Sequence, residues 1–288
     1  MKRIDRPTFG PGGNSDAFKA AGKKSTVQAP AWISSIGLDA YEYEAGRGVN
    51  ASDSVLLSIG EQAKQHGILM SLHTPYFISL SGVAEETRLK SIDYISRSLS
   101  AASLLGADTI VIHTGSAATI TRDEAMRLAT DTLIKNLEVN GDTDIRMGLE
   151  TMGKVNQLGT LDEVLTLCKL SPKYCPVVDF GHLNARHIGN YFTDKDSYRR
   201  VFDQIATTLG DEYAYNLHCH FSKIEYTGKG EKRHLTFSDT VYGPEFEPLA
   251  EAMIAEGVCP RIICESDGTQ SDDALYMKNA WLEAGGKI

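Results

Sequence analysis

Short apolar runs alternate with longer stretches of helical period along almost the whole chain. Strand candidates are Arg3–Asp5, Ala40–Glu44, Ile68–His73, Asp108–His113, Arg146–Glu150, Pro176–Asp179, Tyr215–Ser222 and Arg261–Glu265. The helix candidates are Ser52–His66, Glu85–Leu105, Thr121–Val139, Thr160–Cys168, Lys195–Leu209, Pro244–Glu256 and Asp272–Glu283. Gly67, Gly106 and Gly257 stand where helix C-terminal caps belong. About eight strand–helix units in 288 residues predict an α/β fold, a single (β/α)8 TIM-barrel domain over residues 1–288. A doubly wound sheet is the rival. The Gly-rich segment Phe9–Ser15 lacks the Lys-Ser/Thr ending of a phosphate loop and reads as a plain loop.

The strand ends carry the chemistry. From the second strand onward they are Glu42 or Glu44, His73, His113, Glu150, Asp179, His218 or His220, and Glu265. In a barrel these ends meet on one face, where active sites are built. A lone strand-end histidine is more often a hydrogen-bonded residue than a ligand, and a lone buried carboxylate is more often paired than catalytic. Seven such groups on one face would cost too much to bury without cations, so the set predicts a polynuclear metal site at the C-terminal strand ends. Imidazole and carboxylate are also the donors that borderline divalent metals take. His182 follows Asp179 by three residues, in the loop after that strand. His218 and His220 share one strand face, with Cys219 turned to the core. His234 lies in a long loop, Glu225–Asp239, while His66 and His187 read as surface residues.

Composition narrows the partners. Lys and Arg total 29 against 38 Asp and Glu, a net charge of −9, so nucleic acid could be held only by a local field. The odd count of five cysteines, with no Cys-x-x-Cys pair, argues against a disulfide framework. No apolar run approaches a membrane span, and Met1–Pro7 shows no secretory h-region, so a cytoplasmic protein is expected. No Ser/His/Asp triad or activated thiol is apparent.

The ordered motifs resemble the endonuclease IV family of zinc-dependent apurinic/apyrimidinic endonucleases, over nearly the whole chain. His73-Thr74-Pro75-Tyr76 resembles its His-x-x-Tyr stretch, and Leu105-Gly106 with His113-Thr114-Gly115-Ser116 its Leu-Gly…His-Pro-Gly-Ser element. Leu149-Glu150-Thr151, Asp179-Phe180-Gly181-His182, His218-Cys219-His220-Phe221-Ser222-Lys223 and Ile263-Cys264-Glu265 resemble its remaining ligand-bearing strands. The resemblance implies one zinc on His73, His113 and Glu150. It implies a second on Glu150, Asp179, His218 and Glu265, and a third on His182 and His234. Two to three zinc ions are expected, with manganese as the alternative metal. The implied reaction is hydrolysis of the phosphodiester 5′ to an abasic site in duplex DNA, with Glu150 catalytic and Tyr76 and Arg47 on the DNA.

Two departures stand out. The family's Asp-Arg-His triplet is Lys232-Arg233-His234 here, with Glu231 one residue earlier as a possible substitute ligand. The loop after the second strand lacks the family's Arg-Gln pair, leaving Arg47 alone. A monomer without membrane partners is expected, its phosphate contacts coming from loop amides, Lys223, Lys229, Lys232 and Arg233. The competing readings are a metal-dependent sugar isomerase or epimerase on the same barrel, and a non-catalytic protein that keeps the scaffold.

Overall fold

The computed structural model describes residues 5–287. Its ten strands are β1 (Thr8–Pro11), β2 (Ala40–Glu44), β3 (Leu69–His73), β4 (Thr109–His113), β5 (Arg146–Glu150), β6 (Tyr174–Asp179), β7 (His218–Phe221), β8 (Ile224–Thr227), β9 (Gly230–His234) and β10 (Arg261–Cys264). Eight are parallel neighbours in the order β1-β10-β7-β6-β5-β4-β3-β2, and β8 and β9 form a separate antiparallel hairpin. The ring closes between β1 and β2, where Asp39 N–H donates to Phe9 O at 2.9 Å and Gly13 N–H to Glu42 O at 3.0 Å. Helices lie between successive strands, which is the expected single TIM barrel.

The first strand is where the sequence misleads. Residues 3 and 4 of the expected strand Arg3–Asp5 lie outside the described residues, and the strand that pairs with β10 is Thr8–Pro11, which overlaps the start of the segment read as a loop. Its glycine is there for space. A Cβ on Gly10 would stand 1.7 Å from the Ala40 carbonyl oxygen, so only glycine lets β1 approach β2 closely enough to close the ring. Two other expectations also change. The loop after β6 is a helix, Phe180–Arg186, and the loop Glu225–Asp239 contains the β8–β9 hairpin.

The period of two along the strands sorts the side chains. Met70, Leu72, Ile110, Ile112, Met147, Leu149, Val178, Cys219, Phe221, Ile262 and Cys264 belong to the apolar core that packs the sheet against the helices. The alternate positions face the barrel axis and are largely polar. Arg261, on the axis side of β10, makes a two-pronged contact with Asp108 at 2.8 and 2.9 Å. Beyond it come Glu42, Ser71 and His218, then His73, Glu150, Asp179 and His220, all of them buried. All five cysteines are free and buried, as expected of a chain without a disulfide framework. Among the described residues no helix is long and apolar enough to cross a membrane.

Candidate metal centre

Register decides which inward residues meet. His220 pairs with Asp179 on β6 and with Ile263 on β10, whereas His218 pairs with Val177 and Arg261, one layer deeper. His220, not His218, therefore reaches the mouth of the barrel. Its Nδ1 lies 3.0 Å from Glu150 Oε1 and 3.3 Å from Glu265 Oε1. His218 instead meets Glu42, with Nε2 2.9 Å from Oε2. The resemblance implied His218 in the set with Glu150, Asp179 and Glu265; in the structure the imidazole beside Glu150 and Glu265 is that of His220.

Glu150 is the hinge of the cluster. Its Oε2 stands 3.1 Å from His113 Nε2 and 3.4 Å from His73 Nε2, while Oε1 faces His220 and lies 3.5 Å from His182 Nδ1. Asp179 uses Oδ1 to accept from His182 N–H at 2.7 Å, capping the helix Phe180–Arg186. Its Oδ2 is left toward the site. That cap explains why His182 follows Asp179 by three residues: the first turn of the helix carries the imidazole back over the strand end.

A third group needs a backbone irregularity. Glu231 and His234 are three residues apart, which on a regular strand would put them on opposite faces. The hairpin carries a bulge: Tyr226 pairs with Glu231 and Glu225 with Arg233, so Lys232 is the extra residue. Glu225 accepts from Lys232 Nζ at 2.6 Å and from Arg233 Nε at 2.7 Å, drawing both cations away from the mouth. Glu231 and His234 are thereby turned together toward His182, whose Nε2 is 3.5 Å from Glu231 Oε2. Gly230 lets the hairpin tip dock, because a Cβ there would stand 2.2 Å from Gly153 O and its φ is +86°.

Among the described residues ligand-type atoms gather in five sets, three of them adjoining at the mouth: His73, His113, Glu150; Glu150, Asp179, His220, Glu265; and His182, Glu231, His234; the other two are Glu42, His218, His220 and Glu42, Glu44, Glu265. Within each set these atoms lie within 4.8 Å of one another. The rings are held from behind. His73 Nδ1 is 2.9 Å from Thr74 O, His182 Nδ1 is 3.0 Å from Thr151 O, and His234 Nδ1 is 2.8 Å from Ser222 Oγ. Each contact leaves Nε2 to face the cluster.

Imidazoles compensate the charge of the site. Glu42, Glu44, Glu150, Asp179, Glu231 and Glu265 converge here, and among the described residues no Lys or Arg pairs with any of them; the ion-pair partners are histidines. Burial opposes ionisation of Glu150, but hydrogen bonds from His113, His182 and His220 hold it ionised. Burial also opposes a charge on His73, yet the hydrogen bond to Glu150 and the charge of Glu44 win and push it up to about 10. Glu265 is raised to about 8, by burial first and then by Glu150 and Asp179, against the pull of His220. Protons on His73 and Glu265 thus offset part of the negative charge of the site. Asp179 Oδ2 is buried with no hydrogen-bond partner among the described residues, and Glu150 Oε2 is buried with only His113 and His73 beside it. A metal fits this donor set: oxygen and nitrogen donors, an orphaned carboxylate oxygen and no competing guanidinium or ammonium.

Above the cluster opens a cavity of 760 Å³. Tyr76 stands on its rim, 59% exposed, its ring centroid 5.3 Å from that of His73 and 5.7 Å from that of His113. Arg47 lines the cavity from the loop after β2. Three of the basic residues expected to meet phosphate are engaged within the chain. Lys223 is buried and bonded to Glu245 and the Asp239 carbonyl, and Lys232 and Arg233 are tied to Glu225. Lys154, which sequence reasoning missed, lines the cavity instead. It sits in the loop after β5, whose carbonyls at Met152, Lys154, Val155 and Gln157 all accept from the Arg186 guanidinium. A lysine inside an irregular loop gives no periodic signal; only the buried arginine 32 residues further on fixes where it lies.

Known proteins resemble the chain at several levels. An uncharacterized protein of Methanocaldococcus jannaschii is 27% identical over 245 residues, covering 84% of this chain and 87% of that one. A protein of Acholeplasma laidlawii named "Probable endonuclease 4" is 28% identical over 178 residues, 59% of each chain. Endonuclease IV from Thermus thermophilus superposes with a TM-score of 0.72 at 18% identity, over 96% of this chain and 99% of that one. A D-tagatose 3-epimerase-like protein does so equally well, with a TM-score of 0.72, 18% identity and coverage of 96% and 97%. Likeness to solved structures at such identity shows the fold alone. The model of the xylose isomerase-like TIM barrel family matches residues 30–284. With its eight parallel strands and the length of that match, the chain belongs to the xylose isomerase-like TIM barrel family.

Proposed function

We propose that this protein is a metal-dependent endonuclease that hydrolyses the phosphodiester 5′ to abasic sites in duplex DNA. The observation that carries this reading is the row of three donor sets, the first two joined through the two oxygens of Glu150. Zinc held by these sets would supply Lewis-acid stabilisation of phosphoryl and departing oxygens and make water acidic enough to attack near neutral pH. Glu150 spaces the first two sets and brings negative charge to both. Asp179 offers Oδ2 while Oδ1 stays on the helix cap, so its orientation is fixed before any substrate arrives. Arg47 and Lys154 are the cationic side chains available for flanking phosphates, and Tyr76 supports the strand whose damaged nucleotide has left the stack. The endonuclease 4 relatives and the motif resemblance support the same reading.

A sugar epimerase or isomerase is the second reading. Glu150, Asp179, His220 and Glu265 form a carboxylate-dominated set that could serve one metal and a proton transfer. The flanking sets, His73 with His113 and His182 with Glu231 and His234, favour the polynuclear phosphodiester chemistry. The deciding experiment incubates zinc-loaded protein with duplex DNA carrying one abasic analogue, with ketose epimerisation assayed alongside. Incision on the 5′ side with a 3′-hydroxyl end is expected. A β-elimination product, or intact DNA with metal fully bound, would overturn the proposal.

Two further outcomes follow from the geometry. Tyr76→Ala should weaken binding of abasic duplex by about 1–3 kcal/mol, the worth of one aromatic–base stack, with bound metal unchanged; lost thermal stability at normal DNA affinity would assign the ring to rim packing instead. Metal loading at pH 7 should release protons, because His73 at about 10 and Glu265 at about 8 both hold theirs in the metal-free protein. Metal requires neutral imidazole and ionised carboxylate, so affinity should rise with pH through this range. Calorimetry in buffers of different ionisation enthalpy reads the proton count.

A further inference from the structure

Glu42 is in none of the three donor sets at the mouth; it groups with His218 and His220 and with Glu44 and Glu265, and it is fully buried on the barrel axis. A carboxylate in that position is costly unless something needs it. Its Oε2 accepts from Ser71 Oγ at 2.7 Å and lies 2.9 Å from His218 Nε2. Its Oε1 lies 2.8 Å from His220 Nε2 as an ion-pair contact, and among the described residues neither of these two atoms has a hydrogen-bond partner.

The ring of His220 is oriented differently from its neighbours. His73, His182 and His234 each tie Nδ1 to a carbonyl or a hydroxyl and leave Nε2 toward the cluster. His113 also presents Nε2 to Glu150. His220 is reversed: Nδ1 faces Glu150 and Glu265, and Nε2 points down to Glu42. An imidazole ligates through one nitrogen only when the other carries the proton, and the group that receives that proton's hydrogen bond sets which nitrogen is free. The other rings have backbone or hydroxyl acceptors for this purpose. At the deeper level of His220 the group within reach of Nε2 is a carboxylate, Glu42 Oε1 at 2.8 Å.

We infer that Glu42 is a positioning residue that holds His220 with its proton on Nε2 and so presents Nδ1 to a metal shared with Glu150, Asp179 and Glu265. Ser71 and His218 occupy the other oxygen of Glu42 and fix its rotation. This rests on the metal-centre reading above. A metal bound by Glu42, His218 and His220 themselves is the competing use of these atoms. It would require His220 to ligate through both nitrogens, or to abandon Glu150.

The test measures zinc dissociation constants for each equivalent by chelator competition in the parent, Glu42→Gln and Ser71→Ala. A parent that binds no divalent metal sinks the metal-centre reading itself. With a metal-binding parent, Glu42→Gln should weaken one equivalent by about 10–100-fold, the usual cost of losing a carboxylate behind a ligating histidine, and leave the remainder within about twofold. Ring ¹⁵N spectra of the zinc-loaded parent should contain one histidine bound through Nδ1 with a protected Nε2–H, and that protection should be lost in Glu42→Gln. A purely structural role would lower the melting temperature without moving this signal. Should Glu42→Gln fail to fold, Ser71→Ala keeps the carboxylate but frees its rotation, and the same equivalent should weaken by a few-fold. Unchanged affinity in both variants overturns the inference. So does complete loss of one equivalent with the His220 signal intact, because Glu42 would then itself be a ligand.

Discussion

Glu150→Gln should lower kcat for abasic-site incision by about 10³-fold or more, comparable with losing a principal electrostatic stabiliser. The variant is nearly isosteric, so the effect would come from charge and donor type. In the parent, both carboxylate oxygens are engaged: Oε2 with His73 and His113, Oε1 with His220 and His182. An amide offers one oxygen and one NH₂. Whichever way it turns, one of the two sets would face hydrogen atoms in place of an acceptor. The buried anion that hydrogen bonds from three imidazoles keep ionised would also be gone. Loss should therefore appear first in metal content, as at least one equivalent less, and then in kcat. No single histidine belongs to two of the three sets at the mouth, so Glu150 should exceed each of them. A Glu150→Gln protein with full metal and near-parental incision would refute the bridging role.

The sequence made the frame of this site legible and left its details open, for physical reasons. Strand-end residues such as His73, His113, Glu150 and Asp179 could be read because a parallel barrel delivers every strand end to one face. That consequence needs only the strand order and direction. The choice between His218 and His220 depends on inter-strand register, which a period of two cannot give: both residues share a face, and only pairing with Asp179 lifts His220 to the mouth. The first strand was hidden because its glycine answers to a backbone neighbour 30 residues later, Ala40, and not to any local preference. Glu42 presented the same ambiguity as Glu44. Both point to the axis, and depth along the strand separates one buried beneath the donor sets from one lining the cavity. In sequence the hairpin reads as a loop because its second strand is polar and bulged, so neither apolar alternation nor length marks it.

That bulge leads to the second large effect, on the set formed by His182, Glu231 and His234. Glu231→Ala should remove one equivalent of metal and leave two in place. Two neutral imidazoles fall short of the three or four protein ligands that zinc takes. Removing one partner from a buried ionic set costs about 3–5 kcal/mol, which corresponds to about 10²- to 10³-fold or more in affinity. Lys232→Asp makes the informative contrast. By alignment with the endonuclease IV triplet, an aspartate there should restore the missing ligand. By the geometry it should not, because Lys232 is the extra residue of the bulge and its side chain reaches outward to Glu225. An aspartate at 232 would face that carboxylate, loosen the grip that holds the bulge, and put the alignment of Glu231 with His234 at risk. Metal analysis should therefore find Lys232→Asp equal to the parent or one equivalent lower. A gain of metal in Lys232→Asp would show that position 232 reaches the site after all, and an unchanged count in Glu231→Ala would show that Glu231 is not a ligand. The loss of metal in Glu231→Ala would mean that a one-residue shift within a bulged strand has moved the carboxylate while keeping its charge facing His182.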